Sequence, residues 1–312
     1  MRHRVPLTLA PQNDIHTSDL TDSCMQRVLL RHEHKSEPVA PKALFRGLLV
    51  GKALEFLHKG ASPDALRRGM PKVFKRVMDE LNTEGREPSE SVLKNRDELN
   101  KQVSDAVQHY DEQLMPLFRR CELIGTEVAC RLKIGETNYA SHLDLVLRDH
   151  DNVLGYGAGR LIIADWKFRQ DVPTKAYLAR NMQFCVYWLA ALQGSLLAYP
   201  ELDGWVDYAE DAQMLWVHLP NLFPYKRKTT KHINGENVVF PKGSPRPVNT
   251  VLHKVNFRVD CADQVRGDLE DRVSTMRAGF FPKSPDPVGC AICDVRDFCT
   301  RGDTTELLEN TQ

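Results

Sequence analysis

The chain has 312 residues, room for one large domain or two small ones, and its 42% hydrophobic and 27% charged content is that of an ordinary globular protein. Lys+Arg and Asp+Glu both number 42, so the formal charge is zero; this excludes a uniformly basic, histone-like polyanion binder but leaves room for a local basic groove. No apolar run of about 18 residues occurs, so no membrane span is expected. Met1-Arg2-His3-Arg4-Val5-Pro6 lacks the long apolar stretch of a secretory signal. A reducing, cytoplasmic setting is therefore the expectation, in which the 8 cysteines read as thiols or metal ligands before disulfides.

Residues 1–16 read as irregular. Thr17-Ser18-Asp19-Leu20 offers N-cap residues for a helix through Cys24 toward His32, and Pro38 and Pro41 then break the chain. Leu44–His58 predicts a helix with apolar residues at Leu44, Leu48, Leu54 and Leu57, closed by Gly60 as C-cap ahead of Pro63. Residues 64–120 are charge-rich, with Leu66, Val73, Val77 and Leu81, then Leu93, Leu99, Val103 and Val107, at helical spacing on either side of a polar break at Asn82–Ser89. They predict a helical insertion or subdomain over 60–120.

From Leu123 the hydrophobic period becomes two. Leu123–Ile134, Ala140–Arg148 and Arg160–Phe168 predict three strands, the last two joined by the glycine-rich turn Asp149–Gly159. Ala176–Leu197 predicts a long helix, Gln213–Leu219 a short apolar strand, Val251–Val259 another strand and Asp263–Met276 a helix. Tyr225–His232 reads as a basic loop, with Lys226, Arg227, Lys228 and Lys231 able to track phosphates, and Asn234-Gly235 as a hairpin turn. Proline and cysteine dominate the tail after Gly279.

The most informative stretch is Asp165-Trp166-Lys167, which ends the apolar run Leu161-Ile162-Ile163-Ala164. Strand side chains alternate faces, so Asp165 and Lys167 point one way and Trp166 the other. Asp144 ends a similar approach in Ser141-His142-Leu143-Asp144. Two carboxylates and an ammonium on neighbouring strands suit a hard divalent cation beside a positive charge, an apparatus for attacking a phosphodiester. A lone D-x-K triplet is most often a solvated strand end; its weight comes from the residues around it.

The order helix, three strands, helix, strand resembles the PD-(D/E)XK nuclease superfamily, and within it the RecB-like branch. The match is carried by Gly51-Lys52-Ala53-Leu54-Glu55, Glu127, Asp144, Asp165-x-Lys167 and Gln183-x-x-x-Tyr187. The resemblance implies an α/β, restriction-endonuclease-like core, a mixed sheet flanked by helices, in one nuclease domain over 1–312. It implies Asp144 and Asp165 as ligands of Mg²⁺ or Mn²⁺, Lys167 as the group that orients the attacking water, and Glu127 as a second-ion or shaping carboxylate. Gln183 and Tyr187, one helical turn apart, would contact the strand near the cut. Where the family's first helix carries a histidine, this chain has Glu55; the nearest histidine, His58, is the alternative metal ligand.

Cys290-Ala291-Ile292-Cys293 and Cys299 form a C-x2-C-x5-C cluster, and three thiolates so close point to a metal. Cys24 is the candidate fourth ligand. One early cysteine and this late run resemble the iron–sulfur RecB-like nucleases, including AddB-type helicase–nuclease domains and CRISPR-adaptation exonucleases. The resemblance implies a 4Fe–4S cluster stapling the 280–300 segment to the Cys24 region, with structural Zn²⁺ as the alternative. Cys121, Cys130, Cys185 and Cys261 read as buried thiols.

The function expected from the resemblance is a Mg²⁺- or Mn²⁺-dependent DNA exonuclease acting on single strands or duplex ends, with protein partners in DNA repair, recombination or CRISPR-like adaptation. The alternatives are a catalytically degenerate DNA-binding or assembly protein of the same fold, or a zinc-stabilised structural domain.

Overall fold

The computed structural model describes residues 15–16, 40, 42–83, 86–134, 137–169, 174–175, 178, 181–193, 195–196, 212–220, 228–233, 235–242, 251–255 and 259–277. The predicted helix around Cys24, the Cys290–Cys293–Cys299 cluster, and Lys226 and Arg227 lie outside the described residues.

After a two-residue strand β1 (Ile15–His16), five helices follow: α1 (Lys42–His58), α2 (Pro63–Thr83), α3 (Glu90–Lys94), α4 (Arg96–Gln113) and α5 (Met115–Phe118). The α1 terminus is a Schellman motif: Gly60 takes φ 96°, its N–H donates to the Leu57 carbonyl, and the Ala61 N–H donates to that of Phe56. Two residues on, the Ser62 hydroxyl caps α2 by accepting the Ala65 N–H at 3.2 Å, with Pro63 as first helical residue. The buried stripe of α1 is Phe45, Leu49, Val50, Ala53, Leu54 and Leu57. Leu44 and Leu48, expected on the apolar face, are exposed instead. They sit one position before Phe45 and Leu49, a turn of about 100° along a helix, which carries them off the buried face.

The sheet contains β2 (Glu122–Ile134), β3 (Thr137–Asp149), β4 (Arg160–Arg169), β5 (Ser195–Leu196), β6 (Ala212–Pro220) and, after the separate hairpin β7 (Thr229–Ile233) and β8 (Glu236–Phe240), β9 (Val251–Val255). Its order is β5-β2-β3-β4-β6-β9, with β1 pairing parallel to β3. β4 and β6 are parallel and the other neighbours of that order antiparallel, so the sheet is mixed. Parallel strands need a crossover, and α6 (Met182–Gln193) lies in the segment between β4 and β6. The final helix is α7 (Val259–Arg277).

Alternation along β4 builds two cores. Ile162, Ala164 and Trp166 pack with α1, α2 and α4, whereas Leu161 and Ile163 pack with α6 and α7. A mixed sheet therefore lies between two helical layers, as the resemblance implies.

Four local expectations change. Ser195–Leu196 is an edge strand paired with Cys130 and Arg131 rather than the end of the long helix; Gly194, a poor helix former, separates it from Gln193. Val259 begins α7 rather than ending β9, whose last pair with β6 is Met214–Val255. Ile15–His16 is a paired strand rather than irregular chain. Thr229–Ile233 is a hairpin strand rather than loop, although the hairpin turns where the sequence places it, with Gly235 at φ 88°.

The β3–β4 turn is organised by Asp149, which the sequence reading passes over. Its buried carboxylate accepts the Val153 and Leu154 N–H groups, both at 2.8 Å. Asp149→Ala leaves two N–H groups without that acceptor and is expected to cost about 2–3 kcal/mol, read as a lower urea midpoint at unchanged slope. An unchanged midpoint would remove Asp149 as the organiser of this turn.

Candidate active site

The site begins with a fault in the sheet. Leu143 packs on the α6 side and Leu145, two residues later, on the α1 side, so the two-residue period of β3 breaks between them. Asp144 occupies the break. The β3–β4 ladder ends at the Leu145–Ala164 pair, and beyond it the Asp144 Oδ2 accepts the Trp166 N–H at 2.7 Å. The carboxylate thus takes a ladder donor that a backbone carbonyl would otherwise receive. Across the sheet, Glu127 falls opposite Asp144, between the Thr126–Leu145 and Val128–Leu143 pairs, and carries φ 51°. Left-handed backbone is uncommon for glutamate, and here it sits beside two other carboxylates.

Asp165 is fully buried, with Lys167 on the same face as strand geometry requires. The Lys167 Nζ lies 2.5 Å from Asp165 Oδ2 and donates to Gln183 Oε1 at 3.2 Å. The Gln183 amide donates to Asp165 Oδ1 at 3.3 Å and to the Tyr187 hydroxyl at 2.5 Å. The Tyr187 hydroxyl in turn donates to the His142 carbonyl at 3.1 Å. One turn of α6 thus ties the β4 acid–lysine pair to β3. Asn181 sets the start of that helix, its side-chain oxygen accepting the Phe184 N–H at 3.3 Å.

The electrostatics are those of crowded, desolvated acids. Burial raises the Asp144 pKa well above the carboxylate range; Asp165 and Glu127 add to the rise, while Lys167 and the Trp166 N–H oppose it. Burial also raises Asp165, against Lys167. Glu127 is exposed as a residue, but its carboxylate leans on α1, with Oε1 3.9 Å from where a Cβ on Gly51 would sit. Desolvation there raises its pKa, Lys52 opposes, and Glu55, Glu80 and Asp165 add to the rise.

Asp144, Asp165, Lys167, Gln183, Tyr187 and Glu127 are therefore brought together. Glu55 is buried on the α1 face that meets Glu127, but both its oxygens are held by lysines, Lys52 at 2.8 Å and Lys59 at 2.6 Å. His58 stands apart in the helical core. Its ring stacks on Trp166 and its Nε2 shares a 2.8 Å hydrogen bond with the Tyr110 hydroxyl.

A profile of the PD-(D/E)XK nuclease superfamily matches residues 20–300 of the 312. The chain belongs to the PD-(D/E)XK nuclease superfamily. A comparison with curated proteins finds no significant match. Within the superfamily's mixed sheet flanked by helices, this nuclease carries buried Asp165, half-buried Asp144 and Lys167 where β3 and β4 part. Among the described residues, no three of His, Cys, Asp and Glu converge closely enough to hold a metal. The donor chemistry nonetheless fits a hard divalent cation: Asp144 and Asp165 offer carboxylate oxygens whose mutual repulsion such an ion would relieve. No described helix is long and apolar enough to cross a membrane. Cys121, Cys130 and Cys185 are buried, and burial pushes the Cys121 and Cys130 thiols up to about 11 and about 12.

His58 supplies a pH test. Burial, with a smaller contribution from Arg119, lowers its pKa from 6.5 to about 4. The unfolded chain therefore binds one more proton than the folded chain between those values, and folding stability falls as pH drops from 6.5 toward 4. The His58 share is about 3 kcal/mol at the acid end. His58→Phe is expected to flatten stability against pH in that window; parallel curves for both proteins would refute the buried neutral imidazole.

Proposed function

We propose that this nuclease hydrolyses DNA phosphodiester bonds with Mg²⁺ or Mn²⁺, as an exonuclease acting on single strands or duplex ends inside the cell. The observation that carries this reading is the ion pair of buried Asp165 with partly exposed Lys167 beside Asp144, tied down by Gln183 and Tyr187. Asp144 and Asp165 would hold the cation. When bound, it would polarise the scissile phosphate and lower the pKa of a coordinated water. Lys167 would then exchange its contact with Asp165 for the attacking water and for charge developing on the phosphorus oxygens. Gln183, bonded to both Asp165 and Lys167, fixes their separation, and Tyr187 fixes Gln183. Glu127 would shape the ligand set from the opposite strand.

The finer assignments follow the sequence. Cys24, Cys290, Cys293 and Cys299 would hold a 4Fe–4S cluster, with Zn²⁺ as the alternative, stapling the two ends of a single domain. The 60–120 helices would form its insertion. Partners in DNA repair, recombination or CRISPR-like adaptation belong to the same reading. A degenerate, DNA-binding role is the second reading, favoured by the lysines that occupy both oxygens of Glu55.

The deciding experiment is anaerobic purification followed by cleavage of end-labelled single- and double-stranded DNA with Mn²⁺. Stepwise loss of terminal nucleotides supports the proposal, binding without cleavage supports the degenerate protein, and neither binding nor cleavage overturns both. Iron content and visible absorbance separate cluster from zinc.

A further inference from the structure

The residue between Asp165 and Lys167 is held from behind by two helices. Trp166 packs its side chain in the core with α1 and α4, while its backbone N–H donates to Asp144 Oδ2 at 2.7 Å. The indole Nε1–H donates to the Tyr110 hydroxyl of α4 at 3.3 Å, and that hydroxyl shares a 2.8 Å hydrogen bond with His58 Nε2 at the end of α1. An indole N–H can only donate, so the fully buried Tyr110 hydroxyl accepts there and has its own hydrogen left for His58. His58 Nε2 is therefore the acceptor, in the neutral imidazole that burial favours. The His58 ring also lies over the indole, with 5.7 Å between centroids and 26° between planes. The indole is thus fixed at its edge and at its face.

The position of this indole matters at the two aspartates. β6 continues to pair with β4 as far as Arg169, but toward β3 the ladder ends at the Leu145–Ala164 pair. On that edge the Trp166 N–H meets a carboxylate, which can turn about its side-chain torsions where a ladder carbonyl cannot. We propose that Tyr110 and His58 are positioning residues: by fixing the Trp166 indole they aim its backbone N–H, which holds the Asp144 carboxylate in the orientation that closes on a divalent ion with Asp165. The inference rests on the reading of those two aspartates as metal ligands. Tyr110 and His58 lie on the Trp166 side of β4, opposite Asp165, so neither is itself a ligand. Hydrogen bonds behind a metal ligand set its orientation, and their loss lowers metal affinity about 10–100-fold.

Mn²⁺ affinity, measured by calorimetry on the full chain, separates positioning from mere stability. Tyr110→Phe keeps the ring and removes the hydroxyl, and is expected to weaken Mn²⁺ binding about tenfold. His58→Leu should match it, whereas His58→Gln, which restores an acceptor oxygen, should recover most of the affinity. Phe74→Leu is the control, in the same helical core but packed on Phe45 away from this network. It should lower the melting temperature and leave Mn²⁺ affinity at the wild-type value. If Tyr110→Phe does not fold, His58→Leu against His58→Gln carries the same comparison. Wild-type affinity in the folded Tyr110→Phe or His58→Leu protein, or an equal loss in Phe74→Leu, would overturn the inference and leave the Asp144–Asp165 site standing. No Mn²⁺ binding by the wild type would overturn that site as well.

Discussion

Asp165→Ala is expected to abolish Mg²⁺- or Mn²⁺-dependent cleavage of end-labelled DNA, a loss of about a thousandfold or more. That is roughly 4 kcal/mol of transition-state stabilisation, the scale of a metal's contribution at a phosphoryl centre. Alanine offers no oxygen to the cation, and Asp144 alone makes a poor site. The fold should survive. Asp165 is buried beside Asp144, and each carboxylate is held against desolvation, so its removal ends a repulsion while Lys167, partly exposed, can rehydrate. Far-UV circular dichroism and thermal melting should match the wild type. Wild-type-like turnover in a folded variant would sink the assignment of this site.

Lys167→Ala should reduce cleavage by about a hundredfold, near 3 kcal/mol, while metal binding is kept. The physical reason lies in one contact. The Lys167 ammonium lies 2.5 Å from Asp165 Oδ2, so it competes with a cation for that oxygen. Removing it should leave Mn²⁺ affinity unchanged or tighter in a calorimetric titration. An ammonium is not a ligand, and only the step in which charge develops on phosphorus should suffer. A variant with weakened Mn²⁺ binding and an intact chemical rate would assign Lys167 a structural part instead.

Short-range regularities made much of this legible in the sequence. Asp165 and Lys167 share a face because strand side chains alternate, and Gln183 meets Tyr187 because helix positions four apart are neighbours. Gly60 and Asn234-Gly235 mark a helix end and a hairpin turn because the backbone there needs what glycine allows. Where expectation and fold part, the cause is tertiary. Leu44 and Leu48 are as apolar as Leu49, and only the packing of α1 on its neighbours decides which of them is buried. His58 and Glu55 stand one turn apart on the same helix. The aromatic rings of Tyr110, Phe118 and Trp166 enclose the first, and two lysines hold the second.

The sequence by itself determined the succession of helix and strand and the identity of the acid–lysine pair, since both follow from periodicity within a few residues. Only the tertiary structure decided that β3 loses its alternation at Asp144, that Glu127 turns left-handed opposite it, and that Lys52 joins Glu55 to Glu80 across two helices. These depend on groups far apart in the chain. A strand period or a helix turn carries no information about which distant charge will fill the space beside it.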